Sequence, residues 1–99
     1  MSGEHPHTKA AILQKKLRDV PHQTGVYLIR DRFGKIIYVG KARDLRRRLS
    51  NYFTPSGRTK ADIKTRALID SAADYEWHLV RSDAEAVLFE GRLIKEWRP

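Results

Sequence analysis

The sequence predicts an α+β domain, and three features carry that expectation. Two short β-rich runs, Val26 to Arg30 and Lys35 to Val39, flank a polar loop ending in Gly34, the pattern of an antiparallel hairpin. After Lys41 the apolar spacing changes from two to helical, with Leu45, Leu49 and Tyr52 at i, i+4 and i+7. A further alternating run, Tyr75 to Val80, lies between two helical segments and supplies a third strand. The chain's 99 residues are enough for one such domain with a single core, and leave no room for a second.

Met1 to His7 is expected as a polar tail; His5-Pro6-His7 within it is a weak metal motif, and a tail or tag remnant is the simpler reading. From Thr8, residues Ala11, Ile12, Leu13 and Leu17 predict a short helix. It closes before Pro21, because the residue ahead of a proline is pushed out of the α region. Residues 1–19 are thus expected as tail and short helix, and residues 20–99 as the main domain.

In the hairpin, a four-residue loop from Asp31 to Gly34 sets Arg30 across from Lys35, Tyr27 across from Tyr38 and Gly25 across from Gly40. Two phenols then share one sheet face. Their sharing depends on the register, since a slip of one residue moves a side chain to the other face. Tyrosines pair well across strands for packing alone. The two glycines point further, because glycine weakens a strand unless another backbone or a ligand comes close.

In the helix after Lys41, Asp44 suits the first turn, where the macrodipole favours an acid. On its wheel Arg48 lies about 60° from the apolar stripe, and Lys41 lies close beside it if the turn reaches back that far. Arg46 and Arg47 point elsewhere, as solvent-facing or phosphate-seeking side chains, and a merely solvated Arg48 fits the spacing as well. Thr54-Pro55-Ser56-Gly57-Arg58 reads as a loop by composition. Thr59 with Asp62 predicts a helix cap; Ile63, Ala67, Leu68 and Ala72 would follow on the apolar side, with Lys60, Lys64 and Arg66 exposed. In the third strand Tyr75, Trp77 and Leu79 form the buried face, and His78 falls on the more polar one.

Ser82 and Glu85 form a capping box for a last helix from about Asp83 to about Lys95. At 100° steps, Val87, Leu93, Ile94 and Trp97 fall within about 100° of Ala86, and Glu90 lies near the middle of that arc. A carboxylate on a buried side calls for a compensating charge. A structural ion pair and a metal ion satisfy that need equally.

No apolar run is long enough to span a bilayer, and the first residues do not resemble a signal peptide, so no membrane association is expected. With no cysteine, disulfides, thiolate nucleophiles and cysteine zinc sites are excluded, in keeping with a cytoplasmic protein. Against 12 Asp and Glu stand 20 Lys and Arg, a net charge of +8. A polyanionic partner follows, nucleic acid ahead of membrane surfaces or acidic proteins. Lys41, Arg43, Arg46, Arg47, Lys60 and Lys64 are the candidate DNA contacts.

Gathered together, the residues on inward or shared faces are two phenols, a lysine, an arginine and one carboxylate. Phosphodiester cleavage needs a water deprotonated, charge on the phosphoryl oxygens offset and the leaving alkoxide stabilised. This set supplies all three with one divalent cation. A lone carboxylate, with water and a substrate phosphate completing the shell, is the habit of magnesium, or manganese in its place.

Gly25-Val26-Tyr27 and Tyr38-Val39-Gly40 resemble the two halves of the GIY-YIG nuclease signature, and Lys41-Ala42, Arg48-Leu49 and Tyr52 follow in order. Lys64-Thr65-Arg66-Ala67-Leu68, Tyr75-Glu76-Trp77, Glu85-Ala86, Leu93-Ile94-Lys95 and Arg98-Pro99 extend the resemblance over roughly Val20 to Pro99. They bring it closest to the N-terminal nuclease domain of the incising component of the bacterial excinuclease, which acts in nucleotide excision repair. The resemblance implies a three-stranded antiparallel sheet flanked by helices and metal ligation by Glu90. It also implies active-site roles for Tyr27, Tyr38, Lys41, Arg48 and Tyr52, and a nick leaving 5′-phosphate and 3′-hydroxyl. It further implies a monomer acting in the nucleoid-associated cytoplasm alongside other excision-repair proteins. Two departures stand out: Arg92 occupies the position where the family usually has asparagine, and the chain stops before the further residues the family places beyond Pro99. A non-catalytic DNA-binding or recruitment module keeping the same fold is the alternative.

Overall fold

The computed structural model describes residues 8–97. The expectations placed on Met1–His7, on Arg98 and Pro99, and on the side chains of Ala86, Leu93 and Trp97 lie outside the described residues. Thr8 caps helix α1 (Lys9–Lys16) by accepting from the Ala11 amide, and a 3₁₀ turn, Leu17–Asp19, ends it ahead of Pro21. Strand β1 (Gly25–Arg30) and strand β2 (Ile36–Ala42) form the hairpin. Helices α2 (Leu45–Phe53), α3 (Pro55–Lys60) and α4 (Ile63–Ser71) lead to strand β3 (Asp74–Leu79) and helix α5 (Asp83–Trp97). The sheet has three strands in the order β2-β1-β3, both pairings antiparallel.

Both sheet faces are covered. Tyr27, Ile29 and Tyr75 join Leu13, Leu17, Val20, Leu45, Leu49 and Phe53 in the main core, so α1 packs into the same core as the strands. On the opposite face Val26, Leu28 and Val39 meet Phe89 of α5. Among the described residues, no helix is long and apolar enough to cross a membrane.

The hairpin register differs from the expected one. Asp31 and Lys35 close the turn, with Gly34 in the left-handed region at φ 80°, so Arg30 pairs with Ile36 rather than Lys35. A bulge then inserts one extra residue, so that Ile29 pairs with Tyr38 and Tyr27 with Gly40. Each change displaces the register by one residue. Their sum is even, so Tyr27 and Tyr38 keep a common face as diagonal rather than direct neighbours. Gly25 pairs with Ala42, not Gly40.

Four other expectations are corrected. The segment expected as a loop forms α3, because Thr54 accepts from the Gly57 amide, Pro55 fills the first helical position, and Gly57 lets the turn lie against the Asn51 carbonyl. Asp62, not Thr59, caps α4, accepting from the Thr65 amide; the Thr59 hydroxyl instead donates to the Pro55 carbonyl. In α4 the buried residue is Ile69 rather than Ala67, and Ile63 is 87% exposed. The Ser82 and Glu85 capping pair does start α5, through the Glu85 amide and the Ser82 hydroxyl. Phe89, not Val87 or Ile94, is the described residue that carries α5 onto the sheet; the other two are exposed.

Candidate active site

Tyr27 is fully buried in the centre of the sheet, and its ring lies over Gly40 of β2. A methyl group at Gly40 would sit 2.5 Å from the Tyr27 hydroxyl, so the strand glycine is what makes room for the phenol. The Tyr27 and Tyr52 hydroxyls share a hydrogen bond of 2.8 Å, and the Tyr38 ring centroid lies 6.0 Å from that of Tyr27. Tyr52 reaches this point because Leu45, Leu49 and Phe53 bury the inner side of α2. Asp44 fixes the start of α2 by capping the Arg47 amide at 3.0 Å, while the Leu45 amide donates to the Gln23 carbonyl and the Arg46 amide to that of Pro21.

Arg48 sits at the rim of this phenol cluster. Partial desolvation pulls its pKa down, but interaction with the Tyr27 and Tyr52 phenols outweighs that and leaves it above its ordinary value. Burial, then the Tyr52 hydrogen bond and the neighbouring phenols, push the Tyr27 hydroxyl well up. The Tyr38 hydroxyl is also raised, first by burial and then by Tyr52, with the Glu90 carboxylate adding to the effect. These influences favour the neutral form of both phenols.

Glu90 is half-buried, and its field reaches Tyr38. Among the described residues, neither a hydrogen bond nor a salt bridge reaches its carboxylate, so the structural ion pair is absent there. Nor is there any group of three His, Cys, Asp or Glu able to hold a metal among them. One carboxylate, unpaired among the described residues and close enough to act on the Tyr38 phenol, fits a hydrated hard cation, with water and phosphate as the remaining ligands. It does not fit zinc, which takes several nitrogen or sulfur ligands.

Beside the phenols opens a basic cleft of about 450 Å³, lined by Lys41, Arg43, Asp44, Arg47, Arg48 and Asn51. Lys41 is a strand residue opposite Val26 and not part of the helix, as its possible continuation had implied. Asn51 was missed from the sequence; it lies four residues after Arg47 on one helix, the spacing that puts both on the same side. Arg46 departs from the solvent-facing expectation. Its guanidinium donates to the Val20 carbonyl at 2.7 Å and the Arg18 carbonyl at 2.8 Å, tying α2 to the turn after α1. Lys60 and Lys64 are exposed on α3 and α4, outside the cleft.

Comparison with known proteins gives a consistent match. The UvrABC system protein C of Caldicellulosiruptor saccharolyticus is 44% identical over 87 residues, covering 88% of this chain. That of Mycoplasma pneumoniae is 39% identical over 84 residues, covering 85% of it. The chain spans about 14% of the length of these curated relatives. Among solved structures, the GIY-YIG N-terminal endonuclease domain of UvrC from Thermotoga maritima, bound to its catalytic divalent cation, magnesium, superposes with a TM-score of 0.74. It shares 33% identity over 89% of this chain and 92% of that one. A point mutant of the same domain, also with the cation bound, gives 0.75 at 32% identity over 89% and 91%. With residues 23–99 matching the family description and fold and sequence in agreement, the chain belongs to the UvrC-like GIY-YIG domain family.

Proposed function

We propose that this chain is a divalent-cation-dependent DNA endonuclease domain that nicks one strand in excision repair. The observation that carries the reading is the convergence of Tyr27, Tyr38, Tyr52, Arg48 and Glu90, unpaired among the described residues, next to a basic cleft. A phosphodiester laid along the cleft would have its flanking phosphates met by Lys41, Arg43 and Arg47, and Arg48 would offset charge on the scissile phosphate. Glu90 would hold magnesium or manganese, which when bound supplies further positive charge to the phosphoryl oxygens. The Tyr27–Tyr52 hydrogen bond sets the orientation of both hydroxyls, and Tyr38, 39% exposed, offers its hydroxyl to solvent and substrate. These three hydroxyls are the groups placed to hold or pass the proton of an attacking water. The chain is read as working as a monomer on nucleoid DNA in the cytoplasm, with other excision-repair proteins as partners.

The test is nicking of supercoiled plasmid by the isolated chain with magnesium, manganese or chelator. Glu90→Gln should abolish nicking and manganese binding while leaving metal-free stability equal to the parent or slightly higher, since no cation partner is stranded. Arg48→Ala should lower the rate about a hundredfold or more at little cost to folding. A chain that binds DNA without nicking under any of these conditions is a binding module instead. A Glu90→Gln variant that nicks normally removes the acid from the site.

A further inference from the structure

The tip of the hairpin is braced and presents an aromatic ring to solvent. Asp31 Oδ1 accepts from the amides of Phe33 at 2.9 Å and Lys35 at 3.0 Å, and the Gly34 amide donates to the Asp31 carbonyl. Arg30 donates to the Gly34 carbonyl at 2.8 Å and is itself held by Glu76. On this frame Phe33 is 79% exposed, and the Arg32 guanidinium lies 4.7 Å from the centre of its ring. One ring face is therefore backed by a cation and the other is bare.

We propose, resting on the nuclease reading above, that Phe33 is a stacking platform for one unpaired base of the DNA substrate. Phe33 is flanked in the chain by Arg32, Gly34 and Lys35 and belongs to neither apolar cluster; a protein-docking patch needs a few hundred Å² of contiguous apolar surface, whereas a base needs one ring. Charge agrees: Arg32 and Lys35 flank the ring, and the acid of the tip, Asp31, is turned onto backbone amides. So does position, because the tip feeds directly into β2, the edge strand that carries Tyr38. From Lys35 to Tyr38 is about 10 Å of strand, and the turn adds a few ångströms more. The platform thus lies about three to four base steps from the phenol cluster, at about 3.4 Å per step. An unpaired base at that distance would be recognised by its π-face, without regard to its identity.

The experiment titrates the chain, without magnesium, into a fully paired duplex and into the same duplex carrying a three-nucleotide bubble with 2-aminopurine in it. The parent should prefer the bubble and quench the 2-aminopurine. Phe33→Tyr should keep both properties; Phe33→Ala and Phe33→Leu should lose the quenching and about fivefold or more of the affinity for the bubble, while binding the paired duplex as the parent does. Unchanged thermal melting of the variants establishes that the exposed substitution leaves the fold intact. Phe33→Ala binding the bubble within about twofold of the parent, or Phe33→Leu behaving like Phe33→Tyr, overturns the stacking role alone. Failure of the parent to bind either duplex overturns the nuclease reading with it.

Discussion

Placing alanine at Gly40 brings a methyl group to 2.5 Å from both Cζ and Oη of Tyr27 and to 2.9 Å from Cε1. Carbon contacts are comfortable only from about 3.5 Å, so the ring or the strand must yield by about 1 Å. The ring has little freedom to do so. It is fully buried, tied to Tyr52 at 2.8 Å, and flanked by Tyr38 on β2. Overpacking of this kind costs about 1–3 kcal/mol, and at about 4–8 °C per kcal/mol in a domain of this size the Tm should fall by roughly 5–20 °C. Nicking should fall further than stability, because the displaced phenol loses its alignment with Tyr52. Thermal unfolding is measured for Gly40→Ala in the parent and in a Tyr27→Leu background, where the shorter side chain ends before the collision. The double-mutant comparison isolates the ring. A cost of the same size in both backgrounds would mean that the strand backbone, not Tyr27, requires glycine; a parent-like Tm for the single variant would refute the close approach altogether.

Gly91→Ala is the opposite case: nothing lies within 4 Å of an added methyl group, and α5 should gain up to about 1 kcal/mol of helix propensity, read as a raised Tm. Arg46→Ala should destabilise by about 1–3 kcal/mol in denaturant melts, since its guanidinium holds two backbone carbonyls, whereas Arg47→Ala should leave stability intact and weaken salt-sensitive DNA binding in the cleft. Acid should unfold the chain through its aspartates. The Arg47 amide holds Asp44 below the ordinary carboxylate range, the Thr65 amide does so for Asp62 and Arg58 for Asp70. Asp74, despite partial burial, is lowered by Lys16. With folded values depressed, the unfolded state binds more protons, so this stability is complete above about pH 4–5 and drains as pH falls below about 4. Denaturant midpoints between about pH 2.5 and 7 should show that slope, flattened in Asp70→Asn; midpoints that rise on acidification would contradict it.

The sheet, the helices on its two faces and the approach of Tyr52 to Tyr27 were legible because each rests on a local signal: alternation from Tyr75 to Trp77, the i, i+4, i+7 stripe of Leu45, Leu49 and Tyr52, the Ser82 and Glu85 cap; Leu79, expected on the buried face of β3, is instead 51% exposed. What composition and spacing hid was decided by contacts across the chain. Pro and Gly read as a loop from Thr54 to Arg58, yet the Thr54 hydroxyl and the Asn51 carbonyl turn that segment into a helix. Arg46 belonged by its neighbours to a basic run, and only the folded position of Val20 and Arg18 claims its guanidinium. The arc drawn around Glu90 supposed that α5 buries Val87 and Ile94; the sheet instead receives Phe89, and Glu90 remains half-covered near Tyr38.

The hairpin's two one-residue displacements have a consequence for how such a chain tolerates insertion and deletion. Whether Tyr27 and Tyr38 share a face depends on whether the total offset is odd or even, so for small offsets turn length and bulge act as a single two-valued check rather than as two adjustable lengths. One residue fewer between the tyrosines would remove the need for the bulge and keep them together. One residue gained or lost without a matching change in the ladder would carry Tyr38 to the face of Val26 and Leu28, leaving every strand in place and the phenol cluster broken.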